Sequence, residues 1–481
     1  MPNRYLQGNF APVRAEVTAL DLEVTGTIPP GLDGRYLRIG PNPVRDPDPD
    51  SYHWFLGDGM VHGVRIADGA ARSYRNRYVR AANVADALGE PRRGTARPAD
   101  FAANTNVIAH AGRTLALVEG GSAPYELTDD LDTVGPCDFD GTLRGGYAAH
   151  PHRDPRTGEL HAVGYHWARG NRVNYTIVTA DGAIRHSVDV QVGGSPMMHD
   201  FALTENFVVL YDLPVTFDKR RAAAAFGPLM RIPARLALSR VIGRNPLPDP
   251  VIARLVRGSG QDGSGSGAAT FPYTWNADYP ARIGLLPRNG TSGDVRWFDI
   301  DPCYIFHTLN AYDDDDHVVI DVVRHERMFA TTYNGPSEGP ASLARFTVDL
   351  SAGKVREERL DEHSQEFPRV DERLTGQRHR YGYAIGFAGP VPGDIVIRHD
   401  LVAGTAMRRR LGAGREASEF TFVPNGADAV ENDGVLMGYV YDHARDSSDL
   451  VLLDAETLED VAAVRLPGRV PAGFHGSWAP S

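Results

Sequence analysis

Short apolar runs follow clusters of turn-forming residues along most of this chain. Each run has four to eight residues rich in Val, Leu, Ile and Tyr, which is short for a helix but typical of a β-strand between turns. The clearest examples are GRTLALVEGG (112–121), GELHAVGYHW (158–167), TENFVVLYDLP (204–214), DDDDHVVIDVV (313–323), NDGVLMGYVYD (432–442) and SSDLVLLDAETLED (447–460). The pattern predicts an all-β fold.

Several all-β architectures fit this pattern. The chain has 51 Gly and 34 Pro among 481 residues, which supplies many turns, and it shows no strict repeat. A sandwich, a large barrel and a divergent propeller all remain open on the pattern alone. The length, the many short hairpins and the absence of a dividing linker favour a propeller, which we expect to form one domain over residues 1–481.

Charge and composition exclude several kinds of function. The net charge is −12, so the clustered basic residues of a general nucleic-acid-binding protein are absent. Only two lysines exist, which leaves little for Schiff-base chemistry. The two cysteines, Cys137 and Cys303, fit neither a disulfide framework nor a zinc motif. Because the amino terminus lacks the features of a signal peptide, we expect a cytoplasmic protein.

One segment departs from the strand pattern. Residues 219–257 contain nine basic residues and one acidic residue, with apolar residues at roughly helical spacing. We predict an insertion of short amphipathic helices here, followed by a flexible loop at 258–268. Two interpretations stay open: the helices cover one mouth of the β core, or they form a basic, apolar patch that rests on an anionic membrane or a lipid-like substrate store.

Four of the 17 histidines follow small or apolar residues and precede a turn or a polar stretch. They are His150, His199, His307 and His475. Taken singly, each is more simply a hydrogen-bonded core residue than a metal ligand. Their intervals of 49, 108 and 168 residues, however, are near one, two and three propeller blades of about 40–50 residues. On the inner strands of separate blades they would meet on the axis, where four imidazoles suit Fe, Zn, Cu or Ni.

Seven motifs occur in order along nearly the whole chain. They are IPPGLDGRYLRIGPNPV (28–44), YHWFLGDGMVHGVRI (52–66), AAHPHRDPRTGEL (148–160), MMHDFALTENFVVL (197–210), IFHTLNAYDD (305–314), EFPRVD (366–371) and LPGRVPAGFHGSW (466–478). Together they resemble the motifs of the carotenoid cleavage oxygenases. The resemblance implies a seven-bladed β-propeller, a dome of loops and helices over one face, and one non-haem Fe(II) per chain on the axis.

The resemblance also implies roles for particular residues. The iron ligands would be His150, His199, His307 and His475, oriented through their remaining ring N–H groups by Glu119, Glu366 and Glu419. Glu416 and Glu431 lie close enough in sequence to leave the third glutamate open. Thr105 would shield one open coordination position and leave the other to O2. Apart from the iron centre, no catalytic residue is expected.

The implied reaction adds O2 across a C=C bond of a conjugated substrate and gives two carbonyl products. A stilbene-cleaving branch of the family has a lysine directly before the first glutamate, where this chain has Val118. That difference and the basic, apolar insertion favour a carotenoid or apocarotenoid substrate. Two alternatives remain: a stilbenoid or phenylpropenoid cleaving dioxygenase, and a non-oxygenase with a retained iron site, such as a retinoid-type isomerase or a carotenoid-binding protein.

Substrate-lining residues are predicted from apolar or aromatic character and from proximity to the motifs. The candidates are Trp54, Phe55, Tyr78, Phe101, Val118 and Phe306. Core packing explains each of them equally well. One further departure from the family is Leu56, where relatives usually have aspartate, in a turn outside the expected ligand set.

Overall fold

The computed structural model describes residues 3–94, 103–120, 123–143, 146–224, 226–244, 247–248, 271–336, 338–388 and 391–481. These parts of the chain form many short β-strands and few helices. The strands assemble into seven antiparallel sheets of four to six strands and one two-stranded ribbon. The seven sheets are the blades of a β-propeller, so the predicted all-β fold and the seven-bladed architecture are confirmed.

Blades 1 to 3 follow one another along the first 191 residues, except that the innermost strand of blade 1 comes from the end of the chain. Blade 1 contains β1 (Thr18–Leu20), β3 (Gly34–Pro41), β4 (Gly59–Ala67), β5 (Ala70–Tyr78) and β33 (Gly476–Pro480). Blade 2 contains β6 (Asn106–His110), β7 (Arg113–Leu117), β8 (Tyr125–Leu127) and β9 (Thr133–Pro136). Blade 3 contains β10 (His152–Arg153), β11 (Leu160–Tyr165), β12 (Arg172–Val178) and β13 (Ile184–Gln191).

Blades 4 to 7 complete the ring. Blade 4 contains β14 (Ala202–Leu203), β15 (Phe207–Asp212), β18 (Arg282–Pro287) and β19 (Arg296–Asp299). Blade 5 contains β20 (Tyr304–Asp314), β21 (His317–His325), β22 (Ala341–Asp349) and β23 (Lys354–Asp361). Blade 6 contains β24 (Gln365–Arg369), β25 (Tyr381–Ala388), β26 (Val391–Asp400) and β27 (Thr405–Arg410). Blade 7 contains β28 (Arg415–Ala417), β29 (Thr421–Pro424), β30 (Gly434–Asp442), β31 (Ser447–Asp454), β32 (Asp460–Arg465) and β2 (Val24–Gly26).

Strands from both ends of the chain close the ring. Near the amino terminus, β2 forms the outer edge of blade 7, where it pairs with β32. Near the carboxyl terminus, β33 forms the innermost strand of blade 1, where it pairs with β3. Apolar side chains fill the space between neighbouring blades; for example, the rings of Tyr36 and Tyr439 lie 5.1 Å apart between blades 1 and 7. The propeller therefore has no open gap between its first and last blades.

Most of the helical structure lies in two connections. Helix α1 (Ala82–Leu88) joins blades 1 and 2, whereas α2 (Lys219–Ala224) and α3 (Arg231–Val241) lie within the predicted insertion. The insertion leaves and re-enters blade 4 through the ribbon of β16 (Val215–Phe217) and β17 (Tyr273–Trp275). The predicted flexible loop at 258–268 lies outside the described residues. Among the residues described, none of the helices is long and apolar enough to cross a membrane.

Single helical turns occur in several of the loops. These 3₁₀ segments span Arg4–Leu6, Gly8–Phe10, Trp54–Leu56, Trp167–Arg169, Ser292–Asp294 and Glu372–Leu374. Leu56 therefore closes a helical turn directly before β4. The backbone of the ribbon strand β16 bonds to the chain just before blade 4, through Met197 N and Val215 O at 2.8 Å. The ribbon therefore packs at the end of the ring where the inner strands begin.

Candidate metal centre

The innermost strands of the seven blades each bring one polar side chain to the axis. These side chains lie at or near the beginning of the strand, and so at one end of the ring. They are His475 in blade 1, Thr105 in blade 2, His150 in blade 3, His199 in blade 4, His307 in blade 5, Glu366 in blade 6 and Glu419 in blade 7. The ring symmetry of the fold thus collects residues that are far apart in the sequence. The predicted blade count is wrong for one interval: the 108 residues between His199 and His307 span one blade step and not two, because the insertion between β16 and β17 lengthens blade 4.

The four histidines form one cluster, in which His150 and His475 are buried and His199 and His307 are partly buried. A ligand nitrogen from each of them lies within 4.8 Å of the other three. Nε2 of His199 and Nε2 of His307 are 3.2 Å apart, and the rings of His150 and His475 have centroids 4.6 Å apart. The structure therefore brings together all four histidines that the sequence singled out.

Glu366 holds His307 and a second histidine. Nδ1 of His307 donates to Oε2 of Glu366 at 2.5 Å, and Nε2 of His325 donates to Oε1 at 2.9 Å. A β-bulge after Glu366 and a positive φ of 54° at Phe367 turn the backbone at this point. Burial alone would raise the pKa of Glu366, but the two histidines hold it well below its usual range.

Glu419 holds His475. Its carboxylate accepts Nδ1–H of His475 and the backbone N–H of Gly476, both at 2.9 Å, and forms an ion pair with Nε of Arg369 at 3.0 Å. Burial would raise the pKa of Glu419, but Arg369 and His475 lower it to about 2. The two sequence alternatives bind elsewhere: Glu416 accepts from His443 at 2.6 Å, and Glu431 accepts from backbone N–H groups of blade 6.

Glu119 lies against the other two histidines. Its Oε1 atom contacts Nδ1 of His199 and is 3.6 Å from Nε2 of His150, and its Oε2 atom accepts from the hydroxyl of Tyr165 at 2.5 Å. Burial alone would raise the pKa of Glu119, but His199 and His150 hold it well below its usual range. Three ionised carboxylates therefore surround the histidine cluster.

These contacts suit a bound cation. A carboxylate can only accept, so the Nδ1 atoms of His199, His307 and His475 carry protons, and in the neutral form of each ring the Nε2 atom carries a lone pair. Burial lowers the pKa of His150 to about 3 and that of His475 to about 4, which keeps both imidazoles neutral at physiological pH. Lone pairs 3.2 Å apart on His199 and His307 repel each other unless a cation lies between them. The four residues therefore fit a divalent metal that prefers imidazole.

Thr105 lies beside this cluster. It is buried, its Oγ1 atom donates to Asn104 at 2.9 Å, and its backbone oxygen accepts from the backbone N–H of His475 at 3.2 Å. Because the hydroxyl is already directed at Asn104, the methyl group is the part of the side chain left to face other groups. The contact with His475 brings Thr105 to the same end of the axis as the histidines.

Aromatic side chains extend from the cluster in one direction. The ring of Phe306 lies 5.0 Å from that of His199, and the ring of Phe55 lies 6.2 Å from Phe306. Phe474 connects Phe55 to Trp54, at 5.5 and 4.5 Å. Three of the predicted lining residues, Phe306, Phe55 and Trp54, are thus joined in one apolar cluster next to the histidines.

The remaining predicted lining residues are placed differently. Val118 is buried directly before Glu119. The hydroxyl of Tyr78 accepts from Asn42 at 2.8 Å and donates to the backbone of Val13 at 3.1 Å, in a separate packing cluster. Phe101 lies outside the described residues.

Other polar residues at the site were not singled out by the sequence. Tyr165, His325 and Arg369 each bind one of the three glutamates. Asp200, which follows His199, accepts from Nε2 of His152 and from the backbone N–H of Thr308, both at 2.8 Å, and so connects blades 3, 4 and 5. Asp200 and Arg369 lie inside two of the seven motifs given above. Their position in these motifs was the only sequence feature that pointed to them.

A polar cavity meets the cluster from the axial side. Its volume is about 1000 Å³, and His150, His307 and His475 form part of its wall. Asn106 and Arg153 are among its other lining residues. The histidines thus lie between a polar cavity and an apolar aromatic cluster.

Comparisons with known proteins agree with this architecture. Residues 10–480 match the family described as retinal pigment epithelial membrane protein. A carotenoid cleavage oxygenase of Mycobacterium tuberculosis is 52% identical, over 100% of this chain and 98% of the relative. Carotenoid 9,10(9',10')-cleavage dioxygenase 1 of Pisum sativum is 31% identical, over 99% of this chain and 90% of the relative.

Solved structures share the fold over nearly the full length. Lignostilbene dioxygenase of Pseudomonas brassicacearum superposes with a TM-score of 0.81 at 28% identity, covering 99% of this chain and 98% of that chain. The apocarotenoid oxygenase of Synechocystis superposes with a TM-score of 0.80 at 24% identity, covering 98% and 98%. Since the family match spans almost all of the sequence, this chain belongs to the retinal pigment epithelial membrane protein family, that of the carotenoid cleavage oxygenases.

Proposed function

We propose that this chain binds one Fe(II) through His150, His199, His307 and His475 and uses O2 to cleave a C=C bond of a carotenoid or apocarotenoid. Both oxygen atoms of O2 would enter the products, which are two aldehydes or ketones. The observation that carries the proposal is the cluster of four imidazoles, whose ligand nitrogens lie within 4.8 Å of one another.

The protein groups around this cluster have a defined task. Fe(II) would supply the redox chemistry by which O2 reacts with a double bond. Glu119, Glu366 and Glu419 hold the histidine rings in one orientation, fix their tautomers and offset positive charge. Thr105 directs its methyl group toward one side of the site. The chain contributes orientation and exclusion of water. The proposed reaction requires no general acid or base from the protein.

The aromatic cluster supports a conjugated, apolar substrate. Phe306 and Phe55 continue from His199 into a buried region with Trp54 and Phe474. Rings of this kind pack well against a polyene and exclude water from it. The relatives named as carotenoid cleavage enzymes, one of them 52% identical, favour the same substrate class.

A stilbenoid or phenylpropenoid substrate is the second candidate. The similarity to lignostilbene dioxygenase, and to an isoeugenol monooxygenase of Pseudomonas putida that is 30% identical over 98% of this chain, favours it. Val118 weighs against it, because this buried apolar side chain cannot bind a phenol oxygen.

The insertion supports uptake of an apolar substrate from a membrane surface. Four apolar side chains at the start and along α3 are exposed: Leu229 by 93%, Ile232 by 66%, Leu236 by 56% and Met230 by 55%. Exposed arginines alternate with them in the same helix. Apolar residues that enter a lipid interface next to cations that attract its headgroups are typical of peripheral membrane binding. We infer that a cytoplasmic form of the protein binds anionic membranes reversibly through this helix.

The reaction is tested with iron-loaded protein under 18O2, with an apocarotenal and a hydroxystilbene as separate substrates. We expect two carbonyl fragments from the apocarotenal, carrying 18O, and none from a zinc-loaded control. Cleavage of the stilbene alone would indicate the second candidate function, a stilbenoid or phenylpropenoid cleaving dioxygenase. Conversion or binding of the apocarotenal without incorporation of 18O would instead indicate an isomerase or a binding protein.

A further inference from the structure

His53 is a buried histidine whose tautomer can be assigned. It precedes the 3₁₀ turn Trp54–Leu56, and its Nδ1 atom accepts the backbone N–H of Phe55 at 3.1 Å. An imidazole nitrogen that accepts a hydrogen bond carries no proton, so the proton of the neutral ring is on Nε2. Burial, with a smaller contribution from the charge of Arg221, lowers the pKa of His53 to about 3, so the ring is neutral.

The Nε2–H group of His53 lacks a partner. The residue is 3% exposed, and no hydrogen-bond acceptor for Nε2 exists within the part of the chain that the structure describes. Buried donors in folded proteins are nearly always satisfied, because an unpaired one loses its bond to water without replacement. Among the described residues the site is therefore incomplete, and an acceptor atom of a bound molecule would complete it.

The surroundings of His53 are aromatic. Its ring stacks on Phe271 at 4.2 Å with 17° between the planes, and it meets Phe55 edge-on at 5.1 Å. Phe55 is the ring that reaches Phe306, which in turn lies beside His199. Only two aromatic rings thus separate the unpaired donor from the candidate metal ligands, so the donor lies within the apolar cluster assigned to the substrate.

We propose that Nε2–H of His53 donates a hydrogen bond to an oxygen atom in the end group of the substrate. His53 would therefore select polyenes that end in a carbonyl or hydroxyl group over hydrocarbons of the same shape. The inference rests on the proposed function and deepens it, because it assigns a specificity-determining residue to the same site. The selectivity has a physical basis: a hydrocarbon end group would leave the N–H unpaired in the complex as well.

Two substitutions separate the acceptor and donor functions of His53. His53→Asn keeps an acceptor atom near the position of Nδ1, and so keeps the cap on Phe55, but removes the distal donor. His53→Gln places an amide N–H near the position of Nε2. Iron content and thermal unfolding are measured first. If His53→Asn does not fold, His53→Phe, whose ring can stack on Phe271, takes its place.

The binding experiment compares two test molecules. One is an apocarotenal, and the other is the hydrocarbon in which a methyl group replaces the aldehyde group. Affinities are measured without O2 by quenching of tryptophan fluorescence, so no cleavage is needed. We expect the unsubstituted protein to bind the aldehyde about 5- to 10-fold more tightly than the hydrocarbon, which corresponds to one hydrogen bond. His53→Asn should bind both ligands equally, and His53→Gln should regain part of the preference.

The outcomes distinguish the inference from the proposed function. A preference for the aldehyde that survives in His53→Asn, or its absence from the unsubstituted protein, would overturn the role of His53; the N–H would then be satisfied by water or by a ring face. Equal weakening of both ligands would likewise indicate packing alone. A preference that is lost in His53→Asn, in a protein that cleaves no polyene with iron and O2, would support His53 and overturn the cleavage reaction.

Discussion

The histidine cluster on the axis and helix α3 in the insertion differ in how far their side chains are buried and held by contacts. On the axis, Glu419 is 1% exposed and has three partners, Arg369, His475 and the backbone of Gly476. In and before α3, Ile232 and Leu229 leave 66% and 93% of their surface uncovered. The axial region holds its buried carboxylate through several contacts, whereas the insertion leaves apolar atoms in contact with solvent.

The difference separates two requirements of one proposed enzyme. A site that holds a metal in one geometry needs ligands whose own orientation is fixed by further contacts. A surface that meets lipids needs apolar area that the fold itself does not cover. Substitutions on the axis should therefore change metal binding and stability, while those in the insertion should change association only.

The largest effect is expected for His475→Ala. This change removes one of the four imidazoles but leaves β33 free to pair with β3, so the propeller should fold and stoichiometric iron binding should be lost. Metal analysis of the purified protein measures this. His443→Ala, at an exposed histidine, serves as the control and should keep its iron. Full iron content in His475→Ala would contradict the proposed ligand set.

Arg369→Met should cause the next largest loss. It leaves the buried carboxylate of Glu419 without its guanidinium, which typically costs about 3–5 kcal/mol of unfolding free energy. Chemical denaturation of the metal-free protein gives the value. In the control Arg356→Met, an exposed ion pair with Glu358 is lost, and a change within about 0.5 kcal/mol is expected. Equal changes in unfolding free energy for Arg369→Met and Arg356→Met would show that the axial ion pair stabilises the fold no more than the surface ion pair does.

Glu366→Gln should weaken metal binding without preventing folding. The amide cannot match the carboxylate as acceptor for both His307 and His325, and the loss of such a partner typically lowers metal affinity about 10- to 100-fold. Competition with a chelator measures the affinity. Glu358→Gln, on an outer strand, should leave it unchanged. An unaltered affinity in Glu366→Gln would show that this contact does not orient the ligand.

Acid should destabilise the metal-free protein through Glu419. Its pKa is lowered from 4.5 to about 2 in the folded chain, so its ionised form stabilises the fold above about pH 4.5. That stabilisation should be lost as the pH falls from about 4.5 to about 2. Unfolding free energies measured across this range should fall less steeply for Glu419→Gln than for the unsubstituted chain. Identical slopes would mean that other carboxylates account for the dependence.

The smallest effect on the fold is expected at the surface of the insertion. Replacing both Leu229 and Ile232 by Ser should leave the unfolding free energy within about 0.5 kcal/mol, because little buried area is lost. Binding to anionic vesicles, followed by sedimentation, should fall several-fold. The matched control replaces Val402 and Val430, which are 75% and 73% exposed outside the insertion. Equal vesicle binding by both double variants would exclude α3 as the contact.

The sequence predicted the axial region better than the insertion. Alternating turns and apolar runs indicated strands, and the intervals from His150 to His199 and from His307 to His475 matched the number of blades that separate them. The interval between His199 and His307 did not, because it contains the insertion. Partners such as Arg369 and Tyr165 could not be found in this way, because the contact of each with its glutamate depends on how two blades meet in space. That Nε2–H of His53 has no partner among the described residues likewise becomes visible only in three dimensions.

The pairing of β3 with β33 also has a consequence for how the protein is made. Tyr36 of β3 faces Trp478 of β33, more than 400 residues later in the chain. At typical elongation rates of about 5–20 residues per second, β3 waits about 20–90 s on the ribosome for its inner neighbour. Until then blade 1 presents an open strand edge, of the kind that favours aggregation. Because His475 directly precedes β33, metal loading should be a late event in biosynthesis. Until β33 is made, nascent chains should depend on chaperones that shield the open edge of blade 1.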